Sequence, residues 1–320
     1  MKTFIRIALL SALIWLPGLS ALAQNNALVG AGSTLAYPLL TKIFDDYSRT
    51  SKETVSYQAI GSGAGITLLS QKTIDFAAVD LNLTDDHIKK LGPQIVYVPI
   101  ATGTIAIAYN VPGVKYILKL NATVLTGIYL GKITRWNDAR IAKLNPGVVL
   151  PAIPILVVHR SDDSGSTSIF IKYFKDDANW VKSMGSNTPA KWPVGTGVKS
   201  NQGIAGLIKL TPGAIGYVAL PYAIQYKIPF AALQIKAGSY VVAGNGNYPL
   251  TGSTGIIVYK QQNYSNRSLD RAKQLVKLLR YAVRDGQKTA ESLNYEPLST
   301  VNVNEAEKAI RSIIYDGRNL

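Results

Sequence analysis

Short apolar runs and helix-period segments take turns along this chain, and the early apolar runs stop at glycine or a small polar residue. Ala27–Val29 predicts a strand leading into GAGST, and a helix follows over Ala36–Ser48 with Leu39, Leu40, Ile43 and Tyr47 on one face. Val55–Ile60 predicts a second strand, ending in Gly61-Ser62-Gly63-Ala64-Gly65 before a helical stretch that runs through Leu69. Asp75–Val79 predicts a third, which stops at Asp80. Ile95–Asn110 is rich in strand formers and closes on Asn110-Val111-Pro112-Gly113, a natural crossing between two lobes. Beyond it come helices at Thr123–Leu130 and Gly203–Leu210, and a strand at Ile256–Lys260 after the loop TGSTG. The tail holds an amphipathic helix at Leu269–Val283 and a shorter one at Asn304–Ile314. Strands alternating with helices in this way predict an α/β fold.

Open α/β sheets bind ligands beyond the carboxyl ends of their strands, where helix N-termini converge. Two of the early turns open helices, so their backbone donors can face a common anion, and the third offers the carboxylate of Asp80. The densest chemistry lies in HRSDDSGSTSIF, His159–Phe170, just after the apolar run Ile153–Val158. Arg160 presents a planar fork of donors suited to a tetrahedral oxyanion. Ser164, Gly165 and Ser166 predict the start of a helix whose free N–H groups point at the same place. A carboxylate such as Asp162 beside an anion is repulsive unless the ligand has a proton to donate or the arginine needs a partner. That combination points to protonated phosphate and leaves open which aspartate plays which role. Neighbours on a strand face opposite ways, which puts Arg160 in the pocket and His159 outside it.

Composition narrows the function further. The 320 residues suffice for two lobes with their own cores. Lys2 and Arg6, the apolar stretch Ile7–Leu16 and Ala21-Leu22-Ala23 predict an export signal over 1–23 and a mature chain starting near Gln24. Cysteine is absent, which excludes disulfides, thiolate metal sites, cysteine nucleophiles and a lipid-anchoring cysteine at the signal junction. The expectation is a freely diffusing periplasmic protein. Net charge is +15, a field that attracts anions, but the basic residues are scattered and form no strip for nucleic acid. With two unrelated histidines, His87 and His159, the chain has no metal-ligand spacing, and it lacks the G-x-S-x-G elbow of a hydrolase. A binding protein without catalytic, metal or cofactor chemistry is the expectation.

Eight segments in order resemble one family, the periplasmic phosphate-binding protein of the ABC-type phosphate importer. They are GAGSTLAYPL, VSYQAIGSGAGI, TIDFAAVD, IYLGKITRWND, LNPGVVLP, VVHRSDDSGSTSIF, KWPVG and PGAIGYV. The resemblance implies a two-lobe, hinged binding-protein fold, each lobe a mixed sheet flanked by helices, closing on one phosphate. The crossing at Asn110–Gly113 and the strand returning at Ile256 divide the mature chain into a first lobe of residues 24–108 and 256–320 and a second of 109–255. The resemblance also implies phosphate contacts from Thr34 and Leu35 (backbone), Ser62, Asp80, Arg160, Asp162, Ser164, Gly165 and Ser166. Asp80 would accept the ligand's proton and so reject sulfate, while Asp162 would hold the arginine fork. The implied partner is an inner-membrane ABC permease of two transmembrane subunits with ATPase subunits, and the implied state is a monomer. Asp163 departs from the family, which usually has glycine there: pointing outward it would favour the helix N-terminus, pointing inward it would weaken anion binding. Two rival functions are an exported surface protein that binds polyanions and a binder of a different oxyanion.

Overall fold

The computed structural model describes residues 27–80, 83–185, 191–235 and 238–320; the expected export signal lies outside them. Its strands are β1 (Leu28–Gly32), β2 (Val55–Gln58), β3 (Phe76–Val79), β4 (Ile95–Tyr109), β5 (Lys119–Leu120), β6 (Leu156–Arg160), β7 (Thr196–Val198), β8 (Ala214–Ala219), β9 (Ala232–Gln234), β10 (Tyr240–Val242), β11 (Thr251–Tyr259) and a terminal pair, β12 (Ile314–Tyr315) and β13 (Arg318–Asn319). Eight of them form one sheet in the order β2-β1-β3-β11-β4-β8-β6-β7, and β10-β9-β5 form a small second one. The flanks of the large sheet are parallel, β2-β1-β3 on one side and β8-β6-β7 on the other. Antiparallel β11 and β4 join them.

β4 is the spine of this arrangement. Its residues from Ile95 to Thr104 pair with β11, and Ile105–Tyr109 pair with β8. One 15-residue strand therefore belongs to both halves of the sheet. β11 runs beside it, with a register shift between Thr254 and Gly255. Pro99 of β4 sits at that irregularity, opposite Gly255, where a residue without an N–H leaves the ladder least disturbed. The sequence placed a loop at TGSTG and a strand only from Ile256; instead Thr251–Gly255 are already strand, held by β4 residues remote in the chain.

Helices pack where their apolar stripes require. The helix Tyr37–Ser51, with Pro38 in its first turn, buries Leu39, Leu40, Ile43, Phe44 and Tyr47, and ends at Lys52 in the left-handed region. Ser268 caps the helix Leu269–Val283 by accepting the N–H of Arg271, and its buried face carries Ala272, Leu275, Val276, Leu278, Leu279, Ala282 and Val283. Asp75 ties this helix to the sheet, because its carboxylate receives Arg271 Nε at 2.8 Å and Nη2 at 2.7 Å, Arg267, and the N–H of Val29 at 2.6 Å. The last helix, Thr300–Arg311, begins four residues before the apolar pattern suggested, because Ser299 caps it. In the other half an aromatic cluster fills the core. Phe170 stacks on Tyr217 with centroids 4.3 Å apart and Phe174 on Trp180 at 4.2 Å.

Candidate functional site

Strand ends and helix starts converge on the groove between the halves. From the β1 side, Gly32-Ser33-Thr34-Leu35 leads into the helix Tyr37–Ser51, and β2 leads through Gly61 into the helix Ser62–Ser70. β3 ends at Asp80. From the other half, β6 leads through Asp162 and Asp163 into the helix Gly165–Lys172, and β7 into the helix Ser200–Leu210. Ser164 caps the third of these helices by accepting the N–H of Thr167. First-turn N–H groups have no partner within their own helix and stand as anion donors.

Asp80 is 7% exposed, and its carboxylate is surrounded by hydroxyls. Ser33 Oγ reaches both oxygens at 2.5 and 2.6 Å, Thr254 Oγ1 reaches Oδ1 at 2.6 Å, and Ser62 Oγ lies 3.5 Å from Oδ2. Ser33 Oγ also accepts the N–H of Ala36 at 2.9 Å, so its own proton is directed to Asp80. Burial holds the Asp80 carboxyl above its ordinary value; the bonds from Ser33 and Thr254, the charge of Arg160 and the bond from Ser62 pull the other way.

Arg160 is buried as well, its side chain 2% exposed. Asp162 grips it in a fork: Nε donates to Oδ1 at 2.6 Å and Nη2 to Oδ2. The backbone N–H of Arg160 donates to Tyr217 Oη at 3.0 Å, and that hydroxyl lies 2.7 Å from Thr167 Oγ1. Burial pushes the Tyr217 phenol up to about 12. His159 turns the other way and stacks on Trp192, ring centroids 4.9 Å apart, where burial lowers its pKa.

The nine residues singled out in the sequence lie around this groove, from both halves. Gly165 abuts Asp80 so closely that a Cβ on it would fall 2.4 Å from Asp80 Cβ. Gly61, at φ +97°, would carry a Cβ 2.5 Å from Asp162 Oδ2. Thr34 Oγ1 accepts the backbone N–H of Asn201 at 3.2 Å and its Nδ2 at 2.9 Å, and Asn201 Nδ2 also donates to Ser166 Oγ at 3.1 Å. Tyr222 Oη donates to Thr34 O at 3.0 Å, and Tyr295 Oη to Leu35 O at 2.6 Å. Sequence reasoning missed Ser33, Thr254, Asn201 and Tyr222. Ser33 sits in a glycine-and-hydroxyl turn motif that could have drawn notice; nothing local marks Thr254, Asn201 or Tyr222.

Asp163 makes a contact that neither expected course named, with its side chain 47% exposed. Its carboxylate reaches His87 of the opposite half, Oδ2 to Nε2 3.1 Å. Among the described residues no group of three or more histidine, aspartate or glutamate side chains could hold a metal ion, and no helix is long and apolar enough to cross a membrane.

A sheet shared by two halves, with helix starts from both facing one buried arginine, defines a substrate-binding protein of the hinged periplasmic type. The PBP superfamily domain model accordingly matches residues 20–285. More narrowly, the chain belongs to the family of the phosphate-binding protein PstS. It is 34% identical over 308 residues to the PstS of Xylella fastidiosa, covering 87% of this chain and 83% of that one. To the PstS of Haemophilus influenzae it is 32% identical over 306 residues, covering 86% and 90%. Solved structures share the fold at lower identity. A high-affinity periplasmic phosphate-binding protein, PfluDING, solved with phosphate bound, superposes with a TM-score of 0.69 at 16% identity, over 88% of this chain and 93% of its own. The phosphate-binding protein of Stenotrophomonas maltophilia gives 0.64 at 16% identity over the same shares.

Proposed function

We propose that this protein binds inorganic phosphate in the periplasm and delivers it to an ABC-type import permease. The observation that carries the reading is the pairing of one fork-held arginine with one buried carboxylate hydrogen-bonded by hydroxyl groups. Arg160 and the helix N–H groups suit the charged oxygens of a tetrahedral anion. Asp80 suits the oxygen that still carries a proton. Thr34, Leu35, Ser62, Ser164, Gly165 and Ser166 complete the proposed contacts, and Asp162 holds the planar fork in place. The three carboxylates of the groove outnumber its arginine, so the anion is held by oriented dipoles and shared protons more than by opposite charge.

Binding then involves capture without chemistry. The halves swing on β4 and β11, close over the ligand, and reopen on the permease. Both the exported location and the monomeric state are part of this proposal, supported by the N-terminal sequence pattern and the family. The proposal includes no catalysis; the family to which the chain belongs is one of binding proteins.

Calorimetric titration of the mature protein, stripped of phosphate, tests the reading. Phosphate is expected to bind one to one near neutral pH and sulfate to give no heat. Equal binding of the two would refute the role of Asp80, and binding of neither would refute the site. Closure has its own test at Gly165. A methyl group there meets Asp80, and overpacking of this kind costs about 1–3 kcal/mol. Gly165→Ala should therefore weaken phosphate binding roughly 5- to 150-fold.

A further inference from the structure

Asp163 is a carboxylate at an anion site with no part in holding the anion. Its position is nonetheless well defined. Oδ2 lies 3.1 Å from His87 Nε2, and the backbone oxygen of Asp163 accepts the N–H of Gly63 at 3.2 Å. His87 belongs to the helix Asp85–Leu91 that follows β3, and Gly63 to the helix that follows β2; Asp163 belongs to the loop that follows β6. Both bonds therefore cross the groove from one half of the protein to the other.

The imidazole is set up for this contact. Thr84 caps the helix by accepting the N–H of His87 at 3.3 Å, and the N–H of Thr84 donates back to His87 Nδ1 at 3.2 Å. A ring nitrogen that accepts a hydrogen bond carries no proton, so the proton of the neutral ring is on Nε2. The helix cap thus selects the tautomer and aims its donor at Asp163. His87 is largely buried, its side chain 11% exposed against 47% for Asp163. The rigid partner is the donor, and the loop supplies the acceptor.

We propose that Asp163 and His87 form a clasp that holds the two halves together at the rim of the anion site, whether or not the ligand is present. A glycine at position 163, the residue the family resemblance leads one to expect, has no side chain to make it. The clasp works outside the ligand shell. It sets how long the groove stays shut and leaves the contacts to the anion as they are. Asp163 and His87 are positioning residues in this account.

The clasp is tested by a double-mutant cycle of Asp163→Gly, His87→Ala and the pair, with His87→Gln as the conservative variant. Phosphate release is followed by stopped flow, a readout that rests on the function proposed above. Each single change should speed release about two- to fivefold, the pair should release no faster than either single variant, and His87→Gln, which keeps a donor, should restore slow release. Small-angle scattering of the phosphate-free proteins should show Asp163→Gly more expanded than the parent. Effects that multiply in the double variant, or phosphate-free proteins of equal size, would overturn the clasp. So would slower release from Asp163→Gly, the result expected of a carboxylate that only repels the bound anion. If the parent protein fails to bind phosphate, the proposed function falls, and the phosphate-free scattering still decides the clasp.

Discussion

Arg160→Met is expected to raise the dissociation constant for phosphate by at least about 10³-fold. Two losses combine in that figure. The fork of charge-assisted bonds to the anion disappears, each worth about 1.5–3 kcal/mol. Asp162, which now spends its charge on Arg160, is left as an unpaired carboxylate facing the incoming anion, a condition that costs about 3–5 kcal/mol where burial is complete. Asp162 is 14% exposed in its side chain, so the lower end of that range applies. Two companion variants separate the losses. Arg160→Lys keeps the charge without the planar fork and should fall between the parent and Arg160→Met. Arg160→Met combined with Asp162→Asn removes the orphaned charge and should recover part of the affinity. Calorimetry on the three proteins decides the matter, and an Arg160→Met protein that binds phosphate within tenfold of the parent contradicts the arrangement.

The second large effect concerns selectivity. Asp80→Asn is expected to reduce the ratio of phosphate to sulfate affinity by about 10²-fold or more, because a site that requires a ligand O–H rejects one lacking it by roughly 10⁴–10⁵. An amide has an N–H for an unprotonated oxygen, so the loss in ratio should come largely from sulfate gaining entry. Acidification of the unaltered protein should produce the same change without a mutation. Burial raises the Asp80 pKa. The carboxyl therefore takes up its proton, as pH falls, before an ordinary aspartate near 3.9 would. Below that folded-state pKa Asp80 is a donor and sulfate becomes an acceptable ligand; above it Asp80 is an acceptor and sulfate is excluded. Competition of sulfate against labelled phosphate between pH 7 and pH 4 measures this. Sulfate exclusion that stays constant across the range, in protein that remains folded, would mean that Asp80 is not the discriminating group.

These expectations depend on features that were not equally visible in the sequence. The strand–turn–helix junctions at GAGST, GSGAG and SDDSGST were legible because glycine, a capping hydroxyl and the switch of hydrophobic period are local signals. They were enough to turn the loops at GAGST and GSGAG, Asp80, Arg160 and Ser164 toward one ligand; Thr34 and Ser62 came by the family resemblance. TGSTG was misread for a physical reason. Ile256–Val258 are buried and read as strand, whereas Thr251–Ser253 are not buried, and their strand partners are Thr104, Gly103 and Thr102, about 150 positions away. No window on the local sequence can report such pairing, and with it went the hydroxyl of Thr254 on Asp80. Asn201 was lost in the same way, since its importance lies wholly in reaching Thr34 and Ser166 from other elements. Asp163 shows the limit most clearly. Inward and outward were the two directions that its own loop allowed; the direction taken is toward His87, supplied by the opposite half.

The proposed swing on β4 and β11 also implies a particular kind of machine. Two strands pass side by side between the halves and stay hydrogen-bonded to each other through the passage. Such a pair acts as a leaf spring and not as a pin: it yields to bending out of the sheet and resists sliding and shear. The two walls of the groove must then meet in the same register at every closure, as two pages do on a shared spine. The irregularity at Pro99 and Gly255 sets the spring's resting curvature. A single residue inserted or deleted there would leave every ligand contact chemically intact, yet the walls would close out of alignment.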